Sequence, residues 1–472
     1  MSELRLLPAA LAVWGCAGLV IAQRSPMWAA VILLATVMCC ALRGWQAHGM
    51  LIGSLGAAAT VTSFLRVRAV DAFNFGTVIT GEVASSATIT RTEQWLVHVQ
   101  LPGLPSTTSV LVAHSPPPPG TEFAATVSCT ESERVALNTT VLKASELHEV
   151  AAPEGMAALA HSLKAQFQLA VQASVGPSSQ GLMPGMVLGD TTLQDYAEKQ
   201  LYVQTGLSHL SAVSGSNVAI VTSAAVLLAR SWVLGPRVQI ASAAVTLGLF
   251  VLVVGLEPSV LRACVMGIVG MLAAVSSSQS EPIHALCLAV IALVLWDSSL
   301  AVSYGFALSV AATAGIVALF PLLYRGLVSP WLPDALARLL AVSIAAEVVT
   351  APIVALMAGE VPVVSVAANV LVAPVVAPVT VLGLCAALLS PFPGRLEWPL
   401  LKLAEPGTWW INHVARVCDS VSWGSVETGL VGAGLASAWT VWLIHTKRLP
   451  WAIVGLVFTS ITWALSYGTL NG

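Results

Sequence analysis

Charge is what this chain has least of. Only 9% of its 472 residues are charged, against roughly a quarter in a soluble domain, and that shortage excludes a soluble globular enzyme of this length. No GxxxxGK[ST] run occurs, so the chain carries no P-loop motor. The nine histidines contain no HxHxDH run and no pair at zinc-ligand spacing. Of the eight cysteines, Cys16, Cys39, Cys40, Cys264, Cys287 and Cys385 fall in apolar stretches and behave as small hydrophobes. Cys129 and Cys418 stand apart in polar segments, which leaves no disulfide framework and no CxxC site. A formal net charge of −3 gives no global attraction to nucleic acid. These absences predict a chain that is not an enzyme and holds no cofactor or metal.

What is present is apolar sequence: 57% of residues are hydrophobic and the mean hydropathy is +0.85. Runs of about 18 or more apolar residues recur, each long enough to cross a bilayer. The expected fold is a polytopic α-helical membrane protein of about 11–12 spans, some broken or re-entrant, with a small β-rich insert. Three spans are predicted within 1–65, at roughly 5–22, 27–42 and 47–64. Residues 66–150 turn β-rich, with TVITGEV, WLVHVQL and TSVLVAH broken by LPGLP and SPPPPG. Such short strands predict a small barrel or sandwich, an OB-like barrel first among them.

Residues 151–206 hold an amphipathic helix near 154–175 and a polar loop, and 207–390 a dense series of spans. Residues 391–427, with Glu405, Asn412, His413 and Arg416 beside Trp409 and Trp410, suit an interfacial helix, and two spans follow, at 428–445 and 450–467. With the β-rich insert outside, Arg230, Arg237, Arg325 and Arg338 fall inside, as the positive-inside rule prefers. Lys447 and Arg448 join them only if one more crossing lies between 360 and 427.

Four places put polar groups where lipid makes them costly. The first is 181–222, GLMPGMVLGDTTLQDYAEKQLYVQTGLSHLSAVSGSNVAIVT. Its glycines and Pro184 argue against helix at 181–190, Asp190 reads as the N-cap of a helix over 192–204, and a span follows from 207. His209, Ser214, Ser216 and Asn217 enter that span; Asn217 needs a partner there, so a pathway wall competes with plain close packing. The second is Arg262, a few residues into an apolar helix, which either snorkels or meets an anion; Glu347 and Asp190 are the available carboxylates. The third is Glu347 itself, near the middle of a span, read as a structural ion pair or as a pathway or coupling group. The fourth is Asn369 with Pro374 and Pro378, either a kinked helix or two half-helices around a site.

TGLSHLSAVSGSNVAIV resembles the helix-entry motif of the ComEC competence protein family, with Ser-Asn where many members have Leu-His. VLGD is similar to that family's LLLGD element, GLEPSVLRACVMG to its PSVLRA motif and AANVLVAPVVAP to its ANLLAVP motif. The order and spacing agree over nearly the whole chain. Glu347 departs from the glutamine more usual there.

The resemblance implies a multi-pass channel of the cytoplasmic membrane that admits single-stranded DNA during natural transformation, in a form without the family's metallo-β-lactamase-like domain. It implies membrane lipid, a DNA receptor, a cytoplasmic translocation motor and a separate nuclease as partners. Asp190, His209, Ser214, Ser216, Asn217, Arg262, Glu347 and Asn369 become the expected pathway residues, with Arg262 as the positive charge. The β-rich insert would be an OB-like domain, a fold able to stack single strands. Yet 66–150 holds five basic residues against eight acidic, a balance of −3, which opposes strong backbone binding. Trp95, Phe73, Phe75 and Phe123 could stack bases or fill a core. Two other readings stand beside the channel: a proton-coupled small-molecule transporter using Glu347, and a membrane scaffold with no pathway.

Overall fold

The computed structural model describes residues 5–113, 117–132, 134–211, 213, 215–255, 258–275, 281–421 and 424–446. The chain is a helical membrane protein with a small closed β-barrel inserted after its third helix. Among the described residues five helices are long and apolar enough to cross a membrane, and six shorter apolar helices accompany them. The expected span at 450–467 lies outside the described residues.

Helices α1 (Leu7–Gln23), α2 (Met27–Leu42) and α3 (Gln46–Asp71) form the N-terminal unit. Gly49, Gly53 and Gly56 share one face of α3, where α2 lays Cys40, Val37 and Leu33 against them. Small residues at this spacing let helices approach closely in lipid. α3 runs past the expected end at 64 to Asp71, so Arg66 and Arg68 belong to a helix rather than to the β-rich domain. Arg66 donates to Ser298 Oγ at 2.7 Å and to the Trp296 carbonyl, satisfying the end of a later span.

Strands β1 (Val78–Val83), β2 (Thr88–Ile89), β3 (Trp95–Gln100), β4 (Thr108–Val112), β5 (Glu122–Glu131) and β6 (Thr140–Ala151) build the insert. Pairing runs β1–β5–β6–β4–β3, and β3 closes back on β1, with β4 and β6 parallel and the rest antiparallel. Five strands closed in this order make the OB-like barrel. Alternate residues point inward, so Val97, Val99, Val110, Val112 and Leu142 fill the interior. Phe123 is core at 1% exposure, and the half-buried Phe73 and Phe75 pack edge to face on each other. Glu82 stands directly opposite Glu122 on the neighbouring strand. Arg24, in a left-handed cap after α1, donates to the carbonyls of Leu137 (3.0 Å) and Ala136 (3.3 Å) and pairs with Asp71 at 3.0 Å. That arginine pins a barrel loop to the membrane helices.

α4 (Gly155–Ser174) buries Leu163, Phe167, Val171 and Ser174, one stripe of an amphipathic helix. The short α5 (Pro177–Gln180) leads into α6 (Leu182–Leu188), which contradicts the expectation of a non-helical loop. Pro184 sits in the first turn, where no intrahelical N–H is needed, and Gly189 ends the helix in the left-handed region. These residues punctuate the ends of a helix. α7 (Tyr196–Gln204) begins later than expected because Asp195, not Asp190, is its N-cap and accepts from Glu198 N–H. A 3₁₀ turn at Ser208–Leu210 precedes α8 (Gly215–Ser231), so the membrane helix starts beyond His209.

The core continues as α9 (Pro236–Val254), α10 (Pro258–Val275), α11 (Pro282–Trp296), α12 (Tyr304–Leu327) and α13 (Asp334–Ala358). α14 (Ser365–Leu389) is one continuous helix through Pro374 and Pro378, the single-helix alternative and not two half-helices. Proline leaves backbone carbonyls in need of donors, and in this stretch Trp410 Nε1 donates to the Leu371 carbonyl at 2.9 Å.

α15 (Trp398–Asp419) supplies that tryptophan and runs back along α14. Leu401 and Ala404 pack near Ala386, Gly407 against Val375 and Val379, and Ile411 and Ala415 near Ala368. Strand β7 (Glu360–Pro362) before α14 pairs with β8 (Ser425–Glu427) after α15, so the hairpin leaves and returns at one end. α15 is not among the helices long and apolar enough to cross a membrane. α16 (Leu430–His445) follows, and Lys447 and Arg448 lie outside the described residues.

Candidate functional site

The polar segment expected to wall a pathway is folded into the centre of the helical core. All seven residues of α6 are buried. Val187 presses on Gly383 of α14, and the bare Cα of Gly185 faces the Ser211 carbonyl and the Gln194 amide. Asn217, 5% exposed in the first turn of α8, donates from Nδ2 to the Met186 carbonyl at 2.8 Å. A carbonyl near the end of a short helix has no intrahelical donor, so one side chain meets its own need and that of α6. Ser214 and the side chain of Ser216 lie outside the described residues.

Gln194 deepens this polar pocket. It is 2% exposed, yet neither amide atom has a hydrogen-bond partner, and the adjacent Ser211 hydroxyl has none either. Buried groups left this way carry a desolvation cost of about 1–3 kcal/mol each.

A second group gathers where Gly206 (φ +71°) meets the start of α14. Its Cα lies on Ser365, which is fully buried. Glu347 of α13 stands beside the Ser365 hydroxyl. Asn369 is one turn along α14 on the face of Ser365 and is half-buried. The His209 ring sits by the Gly206 backbone and is exposed. His209, Glu347 and Asn369 therefore come to one end of the polar segment.

Arg262 belongs to the other end. It is 7% exposed; Nε donates to Ser309 Oγ of α12 at 2.8 Å and Nη1 approaches Met266 Sδ at 3.3 Å. The expected pairing with Glu347 or Asp190 is not made. Ala345 and Val349 are the α13 residues that meet α12 at Gly315. Glu347 lies midway between them in sequence and so on the opposite side of that helix. The Asp190 carboxylate is occupied by Thr192, through N–H at 3.1 Å and hydroxyl at 2.6 Å, and by Gln168 Nε2 at 2.5 Å. Asp190 thus shapes the turn after α6 and is placed in neither polar group.

A further network ties α7 to α15. Tyr202, fully buried, donates to Glu198 Oε1 at 3.1 Å and accepts from Asn412 Nδ2 at 3.2 Å. Burial pushes the Glu198 carboxyl up from its ordinary range. At the far end of α15, Glu405 Oε1 accepts from Gly176 N–H at 2.7 Å. Gln168, Gln194, Ser309 and Ser365 escaped the sequence reading, since a single small polar residue on an apolar helix is common and carries no spacing signal.

Among the described residues no group of three or more His, Cys, Asp or Glu could hold a metal ion. A family model described as competence protein matches residues 186–452, more than half of the chain. The chain belongs to that family. The match begins inside α6 and takes in Asn217, Arg262, Glu347 and Asn369. No curated protein and no solved structure matches the chain. Membership gives this multi-pass membrane protein a role in competence, the uptake of DNA.

Proposed function

We propose that this competence protein passes one strand of DNA across the cytoplasmic membrane, along a path walled by the 181–217 segment and the start of α8. The observation that carries the proposal is the buried bond from Asn217 to the Met186 carbonyl, which holds an irregular polar segment inside an apolar helix core. Lipid does not tolerate such backbone, which is found at membrane depth where protein encloses it or where it lines a water-filled path. Neutral groups suit a polyanion that must keep moving, because a strongly basic wall would hold it. The chain acts here as a conduit and not as an enzyme. A DNA receptor outside, a motor inside and a separate nuclease complete the process.

Asn217→Leu tests this reading. Cells carrying it should lose transformation while the protein stays in the membrane at its usual level and DNA still binds the cell surface. Normal transformation in that strain would refute the pathway. A proton-coupled small-molecule transporter is the second reading, favoured by a carboxylate, Glu347, standing beside the buried Ser365 hydroxyl inside a candidate span; it predicts that Glu347→Gln abolishes a pH-driven flux and spares transformation.

A further inference from the structure

Arg262 is a buried cation in an apolar core, and its surroundings show what it lacks. The residue is 7% exposed, and among the described residues Nη2 makes no hydrogen bond. Among the described residues no carboxylate forms an ion pair with it. Nη2 lies on Gly215, the first residue of α8, so closely that a Cβ there would come within 2.5 Å. The first-turn N–H groups of a helix have no intrahelical acceptor and carry a partial positive charge. α10 opens at the same place, where Ser259 Oγ donates to the Val213 carbonyl at 2.8 Å just ahead of α8. Among the described residues, two helix N-termini and a guanidinium without a carboxylate partner therefore converge, an arrangement that favours an anion.

We infer that Arg262 and the N-terminus of α8 form a binding site for a phosphodiester group, with Gly215 keeping the approach open. A phosphate oxygen accepts from Nη2 and from the helix N–H groups together, while Ser309 fixes the guanidinium from behind. Contact of this kind reads the backbone and no base, so it accepts any sequence. It holds one phosphate at a time in an otherwise neutral path. The identity of the anion as DNA rests on the proposed function; the site itself rests on the geometry alone.

The test uses the purified full chain in detergent with a fluorescent oligothymidylate, its uncharged methylphosphonate analogue, and inorganic phosphate as competitor. Wild-type protein should bind the phosphodiester strand and release it to phosphate. Arg262→Gln should weaken that binding roughly ten- to a hundred-fold and leave the methylphosphonate strand unaffected. Gly215→Ala, which keeps the arginine and a good helix former, should also weaken it, giving a second readout if Arg262→Gln misfolds.

Equal phosphodiester affinity in wild type and both variants overturns the site. So does an equal loss for the charged and uncharged strands, which would make Arg262 structural. Loss of co-purifying phospholipid phosphate with strand binding intact would assign the site to a lipid headgroup and overturn its DNA assignment. Phosphodiester binding in vitro with normal transformation by Asn217→Leu would leave this site standing and remove the proposed pathway.

Discussion

Gly206 rests directly on Ser365, joining the break after α7 to the first residue of α14. With φ at +71° the position already favours glycine, and a Cβ there would run into that of Ser365. Gly206→Ala should therefore cost about 1–3 kcal/mol, read as a lowered thermal unfolding midpoint in detergent. Ser365→Gly should recover part of the loss, because it removes the atom that the new methyl meets. Additive effects in that double-mutant cycle would show that the two residues do not touch.

Glu198 gives the fold a pH dependence. Its carboxyl is raised by burial, so its stabilising contribution is fully present below the ordinary carboxyl value. It is lost as pH rises through the raised one. Wild-type protein should lose stability from acid toward neutral pH more steeply than Glu198→Gln, which keeps an acceptor for Tyr202 without titrating. Parallel melting curves for the two proteins across that window would count against a buried acid at this position.

Arg24 holds the barrel to the membrane helices through two carbonyls and Asp71. Its ion pair is partly solvated and contributes about 0–1 kcal/mol, so Arg24→Ala should barely change global stability. Amide exchange around 134–139 should nevertheless rise, since the loop loses its hydrogen bonds from Arg24. Unchanged exchange would mean that packing alone seats the barrel.

Asn217 and Arg262 were legible because a polar amide and a cation inside apolar runs have few tolerable environments, and the structure buries both with polar partners. The barrel was legible from alternating strands and Gly/Pro turns, down to its OB-like order. α6 was not, because Pro184 and Gly189 read as breakers when taken alone and as helix ends once placed. The hairpin of α14 and α15 was hidden for a related reason. Glu405 and Asn412 look like surface residues until Gly176 and Tyr202, more than 200 positions away in sequence, are found to satisfy them. Arg262 pointed to a carboxylate from sequence alone; only the helix directions show that Glu347 faces elsewhere.

The most direct measurement places a photoreactive residue in the proposed path and asks whether it meets the incoming strand. Ser208→p-benzoylphenylalanine and His209→p-benzoylphenylalanine sit at exposed positions of the polar segment, while the same change at Leu227 or Leu249 sits on exposed apolar helix faces, 63% and 59% accessible. Competent cells given labelled DNA and then illuminated should yield crosslinks to single-stranded DNA at 208 and 209, and none at 227 or 249. Crosslinks absent from 208 and 209, or equally strong at all four positions, would contradict a DNA path along this segment.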